Sequence, residues 1–375
     1  MTTRFWGTTA MVAGGMLLAM GVAQGAEKIQ LGLGGFWHAF AVYGDQSDGP
    51  GKPGAAFRDH GIAQDSEIHF RGETTLDNGI SFGVSIQLEG ETKAPLIDES
   101  FIFVEGTFGR VNFGQENPAS ELMYYGSPWA IDGVGLASPD LTFSQLGNSV
   151  GAPAVIVNVG GKAERITYFT PRMGGLQLGL SYTPDNCAPP AVACTSAGTG
   201  LQSKRDTGQQ SETIEAAVNY VREFGGLNLA LYAAISQGTV EGTAAAVTAA
   251  GAEDQDQWGL GMELGYGGFT FGADYRKDNQ GTFAPNTDRT DYSLGLSYRT
   301  GPWTTGVAYA HGEVEEGAGL GQDETDGYQA GVGYNLGPGI VLTGGITYWV
   351  VGDNLNSPTI ENKSTEFIIG TLLAF

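Results

Sequence analysis

Hydrophobic and polar residues alternate with a period of two along nearly the whole chain. From Ile80 to Glu89, Ile, Phe, Val, Ile and Leu fall on one face, and Ser, Gly, Ser, Gln and Glu on the other. Leu176–Tyr182, Leu227–Tyr232 and Tyr292–Tyr298 repeat the pattern. Successive side chains of a strand point to opposite faces, so these segments read as strands with a different solvent on each side. The punctuation is just as regular. Asp77-Asn78-Gly79, Gly174-Gly175, Gly225-Gly226, Gly267-Gly268, Gly301-Pro302 and Gly337-Pro338-Gly339 each separate two alternating runs, as hairpin turns do. Longer polar stretches rich in Gly, Asp, Asn, Thr and Pro lie between the hairpins. One end of the structure is therefore trimmed and the other elaborated, a pattern that transmembrane barrels show.

The pattern predicts sixteen strands, at 28–43, 66–76, 80–90, 99–107, 109–116, 164–173, 176–185, 212–224, 227–240, 256–266, 269–279, 289–300, 303–315, 325–336, 340–352 and 363–375. An even count returns both chain ends to the trimmed side, as closure requires, and sixteen strands enclose an aqueous lumen. Aromatics gather near strand ends: Phe36, Trp37, Phe40 and Tyr43; Tyr124, Tyr125 and Trp129; Tyr348 and Trp349. Some of these are expected to form interfacial girdles, and the rest to pack.

Composition narrows the class. The 375 residues carry a net charge of −23, with 18 bases against 41 acids, which excludes a basic nucleic-acid binder. Aromatics at 10% argue against disorder, and the 61 glycines lack the three-residue period of collagen. Few charges with many glycines and aromatics fit a β-protein with one wet and one greasy face.

Residues 1–25 are expected to be a secretory signal peptide. Arg4 gives a positive start, Phe5–Ala23 is apolar and small, and Ala23-Gln24-Gly25 offers a cleavage site before Ala26. The remainder, 26–375, is expected to be a single barrel domain. After Ala26 no apolar run approaches the roughly 20 residues of a membrane helix. The other structure that can span a bilayer is a closed β-barrel, because it satisfies every backbone hydrogen bond internally.

Three passages resemble the general diffusion porins of Gram-negative outer membranes. Phe70–Gly79 (FRGETTLDNG) is similar to the family's second strand and first turn. Gly106–Asn117 (GTFGRVNFGQEN) is similar to the turn and fifth strand that lead into the third loop. Glu366–Phe375 ends on a terminal Phe, as such barrels do. The resemblance implies an all-β, 16-stranded antiparallel transmembrane barrel in the outer membrane, assembled as a homotrimer, with a long third loop folded into the lumen. It implies lipid and lipopolysaccharide around the wall, and small hydrophilic solutes and ions as cargo. The longest gap between predicted strands, 117–163, is where that loop belongs.

Selectivity in such a channel follows from charges at the narrowest point. Alternation places Arg110, Asn112 and Glu116 of strand five toward the lumen, with Glu67, His69, Arg71 and Glu73 of strand two and Arg165 of strand six. The long loop supplies Glu121, Asp132 and Asp140. Wall arginines are few and the acids many, so cation preference is expected. Cys187 and Cys194 share one polar loop, and passage through an oxidising compartment predicts a disulfide between them. No cofactor is expected. The acids of 253–256 and 321–326 are weak candidates for Ca²⁺, without EF-hand spacing. Beside a structural or adhesive surface protein, which nothing in the sequence demands, two rival readings remain open. One is a substrate-selective channel using an aromatic track (Tyr124, Tyr125, Trp129). The other is a barrel enzyme built on His69 beside Glu67, although no Gly-x-Ser-x-Gly elbow is present and a non-enzyme is expected.

Overall fold

The computed structural model describes residues 28–48, 54, 56–91, 96–147, 150–186, 210–242, 253–281, 287–315, 321–353 and 361–375. The signal segment, Cys187 and Cys194 lie outside them. Among the described residues, sixteen strands run in chain order: β1 (Gly32–Gln46), β2 (His60–Thr75), β3 (Ser81–Glu89), β4 (Ile97–Gly106), β5 (Gly109–Glu116), β6 (Ala163–Phe169), β7 (Leu176–Asp185), β8 (Gln210–Phe224), β9 (Leu227–Val240), β10 (Gln255–Tyr266), β11 (Phe269–Asp278), β12 (Arg289–Thr300), β13 (Trp303–Glu315), β14 (Gln322–Gly337), β15 (Ile340–Asp353) and β16 (Asn362–Ala374). One helical turn, α1 (Ala119–Leu122), lies in the long loop. Each strand pairs antiparallel with its neighbours in sequence, and β1 pairs with β16 to close the barrel. The seam runs from Phe36↔Ala374 to Gln46↔Ser364, and Gly35 and Phe375 exchange both backbone hydrogen bonds at 3.0 and 3.1 Å.

Most strands fall within about two residues of the predicted spans. The largest differences are the outer half of β2, the start of β1 and the end of β6. His60–Asp65 does not alternate cleanly, yet it pairs with His38–Tyr43. Register with a neighbour, rather than local pattern, makes it a strand.

Leu178, Leu180, Leu231, Ile235, Leu260, Leu294, Leu296 and Ile346 point outward and are exposed, as a lipid-facing wall requires. Ring pairs mark both rims of that wall. Phe269–Tyr298 and Trp303–Tyr334 sit at the short-turn end, while Trp258–Tyr275 and the run Tyr292, Tyr309, Tyr328, Tyr348 sit toward the other. Of the aromatics expected at strand ends, Trp37, Tyr43 and Tyr348 are outward and exposed. Phe40 and Trp349 are buried inside, and Tyr124, Tyr125 and Trp129 lie in the long loop. Strand parity explains the split, since neighbouring residues cannot share a face.

The apolar core lies between the long loop and the inner wall. Met123 and Val157 pack on Ala217, Tyr232 and Ala234. Ile131 and Val134 pack on Phe40 and Ile368, and Leu136 packs on Ala310 and Trp349. The loop can approach so closely because the wall beneath it is glycine. A Cβ at Gly261 would overlap the Tyr125 carbonyl oxygen. At Gly272 it would overlap that of Gly126, and at Gly331 that of Ala130, while at Gly345 it would press on the Ile131 side chain. The returning limb lies on Gly312, Gly259 and Gly238 in the same way.

Gly261→Ala is expected to lower the unfolding free energy by about 1–3 kcal/mol, because backbone stands where its methyl must go. Gly265→Ala, on the same inner face, meets the Asn228 side chain at 3.4 Å and backbone only at 3.8 Å, and should stay within about 0.5 kcal/mol of wild type. Urea unfolding of the refolded barrels measures both. Equal stabilities would remove the close approach as the reason for glycine.

Candidate functional site

The long loop crosses the lumen twice, and polar side chains of the wall hold both limbs. On the outgoing limb, Ala119 N–H donates to Ser181 Oγ at 2.8 Å. Asp274 accepts from Tyr124 Oη at 2.6 Å and from Ser127 N–H at 2.7 Å, and Gln329 accepts from Ile131 N–H at 3.2 Å. On the returning limb, Asp291 accepts from Ala154 N–H at 2.9 Å, and Gln257 from Asn158 N–H at 2.8 Å. Three arginines reach the same limb: Arg289 donates to Ala152 O, Arg276 to Ile156 O, and Arg165 to Gly160 O, at 2.9–3.2 Å. Each is paired with an acid, Arg165 with Glu215 at 2.9 Å, Arg276 and Arg289 with Asp291 at 3.1 and 2.8 Å. Removing one partner of such a buried pair costs about 3–5 kcal/mol, so these groups fix the loop's position.

This geometry reassigns part of the expected constriction. Arg165 points inward but is only 2% exposed, sealed beneath the loop against Glu215, so it positions the loop and does not touch the passage. Glu116 is 1% exposed and accepts from Asn112 at 2.8 Å, which removes it from the water as well. Arg71 and Arg110 face inward close to the short turns. Both lie over the Phe103 ring, at 5.6 and 3.9 Å from its centre, and Arg110 pairs with Glu105 at 3.3 Å. They sit below the narrowest part of the passage.

The facing groups at mid-height are carboxylates. Glu67 faces the lumen on β2 and is joined to His69 at 2.6 Å. Asp140 is exposed on the loop, and both Asp65 and Glu67 act on it electrostatically across the passage. Glu121 accepts from Asn158 at 2.5 Å, and Asp132 lies on the underside of the loop near Gly333. Asp65, Glu89 and Glu91, and likewise Glu67, Glu89 and Asp98, bring carboxylate oxygens within 4.8 Å of one another. These are the described groups with the spacing to hold a divalent cation. The acids of 253–256 and 321–326 do not converge: Asp323 is buried on the inner face, whereas Glu324 and Asp326 follow the alternation outward.

A lysine stands among these acids. Lys162, the only base between Asn117 and Ala163, pairs with Asp98 and acts on Glu121 and Asp140. Burial opposes its charge, but Asp98, Glu99 and Glu67 outweigh that and raise its pKa. Burial pushes the Glu121 and Asp132 carboxyls up, with Lys162 and Arg299 respectively pulling them back. Asp140 opens to the lumen, yet low-dielectric walls ring it. That enclosure, with Asp65 adding to it and Lys162 opposing it, pushes its carboxyl up to about 7.

Sequence reasoning missed Asp65, Glu89, Asp98 and Lys162. Two signals were available. Asp65 stands two residues before Glu67 and shares its face, and Lys162 is the one base of the long loop.

A sequence-family model described as Gram-negative porin matches residues 7–353. No curated protein matches the chain. Among solved structures, the anion-selective porin from Comamonas acidovorans superposes with a TM-score of 0.59 at 17% identity, covering 93% of this chain and 100% of that one. Salmonella typhi OmpF in complex with daunomycin gives 0.61 at 14%, covering 92% and 97%. In-vitro folded OmpT of Vibrio cholerae, in its trimer form, gives 0.56 at 12%, covering 92% and 99%.

The Asp140 carboxyl is ionised above about pH 7 and neutral below it, so acidification removes one negative charge from the constriction. The zero-current potential of reconstituted channels under a KCl gradient should move toward zero between pH 8 and 6, as this group titrates. Asp140→Asn should flatten that step. An unchanged step in the variant assigns the titration elsewhere.

Proposed function

The chain belongs to the Gram-negative porin family, and from that premise we propose that its water-filled channel favours cations among the small hydrophilic solutes and ions it passes. It is an outer-membrane β-barrel protein that forms a porin channel. Solutes move down their own gradients, and no bond need be made or broken. The observation that carries the preference is the facing of Asp140 on the loop with Asp65 and Glu67 on the wall, with Glu121 and Lys162 of the loop also acting on Asp140. In a narrow lumen with low-dielectric walls the field of such charges is focused, so a few carboxylates lower the energy of an entering cation and raise that of an anion. The Comamonas porin is named as anion-selective and shares the fold at 17% identity. Selectivity in such barrels therefore belongs to the lining and has to be derived from each chain's own charges.

A homotrimer is part of the proposal. β5 has 8 residues and β6 has 7, short of the roughly 9–11 that a tilted strand needs to cross a bilayer. Ile102, Phe113 and Ile166 are exposed on this low stretch of wall. Packing against another copy covers it without asking lipid to bridge the difference in height. The taller wall from β8 to β16 would face lipid and lipopolysaccharide.

Planar-bilayer recording under a KCl gradient tests both parts. Conductance should appear in groups of three steps, with a zero-current potential of the sign set by K⁺. Lys162→Gln should move that potential further in the cation direction, because one compensating charge is gone. A potential of the sign set by Cl⁻ would overturn the cation preference. A monomer on an unheated gel would overturn the trimer.

A further inference from the structure

The lumen holds a cavity of about 600 Å³ that starts at Asp65 and Asp140 and extends toward the short turns, within the range of roughly 300–1,000 Å³ typical of ligand sites. Tyr124 and Trp129 line it from the loop, and Phe36 and Leu372 from the wall. Asp65, Asp132 and Asp140 reach the same space. Asp132 and Asp140 make no ion pair within 4.0 Å among the described residues. The basic groups on this lining are Arg299 and His38.

A passage built only to conduct K⁺ or Na⁺ has no use for aromatic rings beside its carboxylates. Inorganic cations keep their water and gain little from an apolar surface. A cation with a flat apolar body gains from both, since the carboxylates neutralise its charge while the rings cover its body and attract the charge through their faces. An anion of the same shape meets three carboxylates, and a neutral molecule forgoes the charge contact. Trp129 is well placed for this role: its ring packs along Gly135 of the same loop, which holds it against the cavity.

We propose that the chamber beneath the long loop is a binding subsite for aromatic organic cations, with Trp129 as the stacking surface and Asp132 and Asp140 as the charge partners. This deepens the porin proposal and rests on it. Such a solute pauses in the chamber on its way through, so the channel passes amine-bearing aromatics with saturable kinetics and small inorganic cations without them.

The test is single-channel recording of the full barrel in KCl with benzyltrimethylammonium added to one side. Resolvable current interruptions are expected, their frequency rising with concentration. Tetramethylammonium, which lacks the ring, and benzenesulfonate, which carries the opposite charge, should give none. Trp129→Leu should shorten the interruptions about three- to fivefold, the change equivalent to one lost ring–cation contact. Trp129→Phe keeps a flat face and should retain most of the lifetime, and Asp132→Asn should shorten it. Equal interruptions from benzenesulfonate or tetramethylammonium would overturn the subsite, as would lifetimes unchanged in Trp129→Leu and Asp132→Asn. A folded barrel that shows no conductance steps at all would overturn the porin proposal itself, a failure distinct from an open channel that ignores the probe.

Discussion

Everything in this molecule depends on the requirement that no backbone N–H or C=O be left unpaired in hydrocarbon. An open sheet would expose one edge on β1 and another on β16, each unpaired group costing several kcal/mol. The β1–β16 ladder removes both edges, and Phe375 extends it by its exchange with Gly35. Closure then sets the terms for the side chains. Every strand must offer one face to lipid and one to the interior, which is why the chain alternates from end to end.

Sixteen strands enclose far more space than wall side chains can fill. The long loop occupies it, and the result is a core of unusual placement, a thin apolar and polar layer between loop and wall. Glycine and the paired arginines have complementary parts in it. Gly261, Gly272 and Gly331 let the loop's backbone lie directly on the strands, while Arg165, Arg276 and Arg289 bind its carbonyls and are neutralised by Glu215 and Asp291. The arginines spent on the scaffold are therefore missing from the passage. What remains to face the water beside the loop is mainly acidic, so the mechanical solution to holding the loop also biases the electrostatics of the channel.

The passage is graded along its length. Carboxylates dominate where it is narrowest, rings join them in the chamber below, and Arg71 and Arg110 stand near the short turns over Phe103. A cation entering from the elaborated end thus meets attraction first, apolar contact second and positive charge last.

The number and order of the strands, their inward and outward faces and the closed architecture were legible in the sequence, because a period of two and a tight turn are local properties. So were the candidate charges, since parity alone assigns Glu67 and Arg110 to the inner face. The sequence by itself could not say which inward residues meet water. Arg165 and Glu116 have the same parity as Arg110, yet the loop covers the first two and leaves the third in the passage. Nor could it show that Lys162 would stand among the acids, or that the inward glycines form a bed for the loop. These outcomes depend on residues more than a hundred positions apart, such as Tyr125 with Gly261 and Tyr124 with Asp274, being brought together by closure of the barrel. Local pattern determined the wall; only the tertiary structure decided the passage.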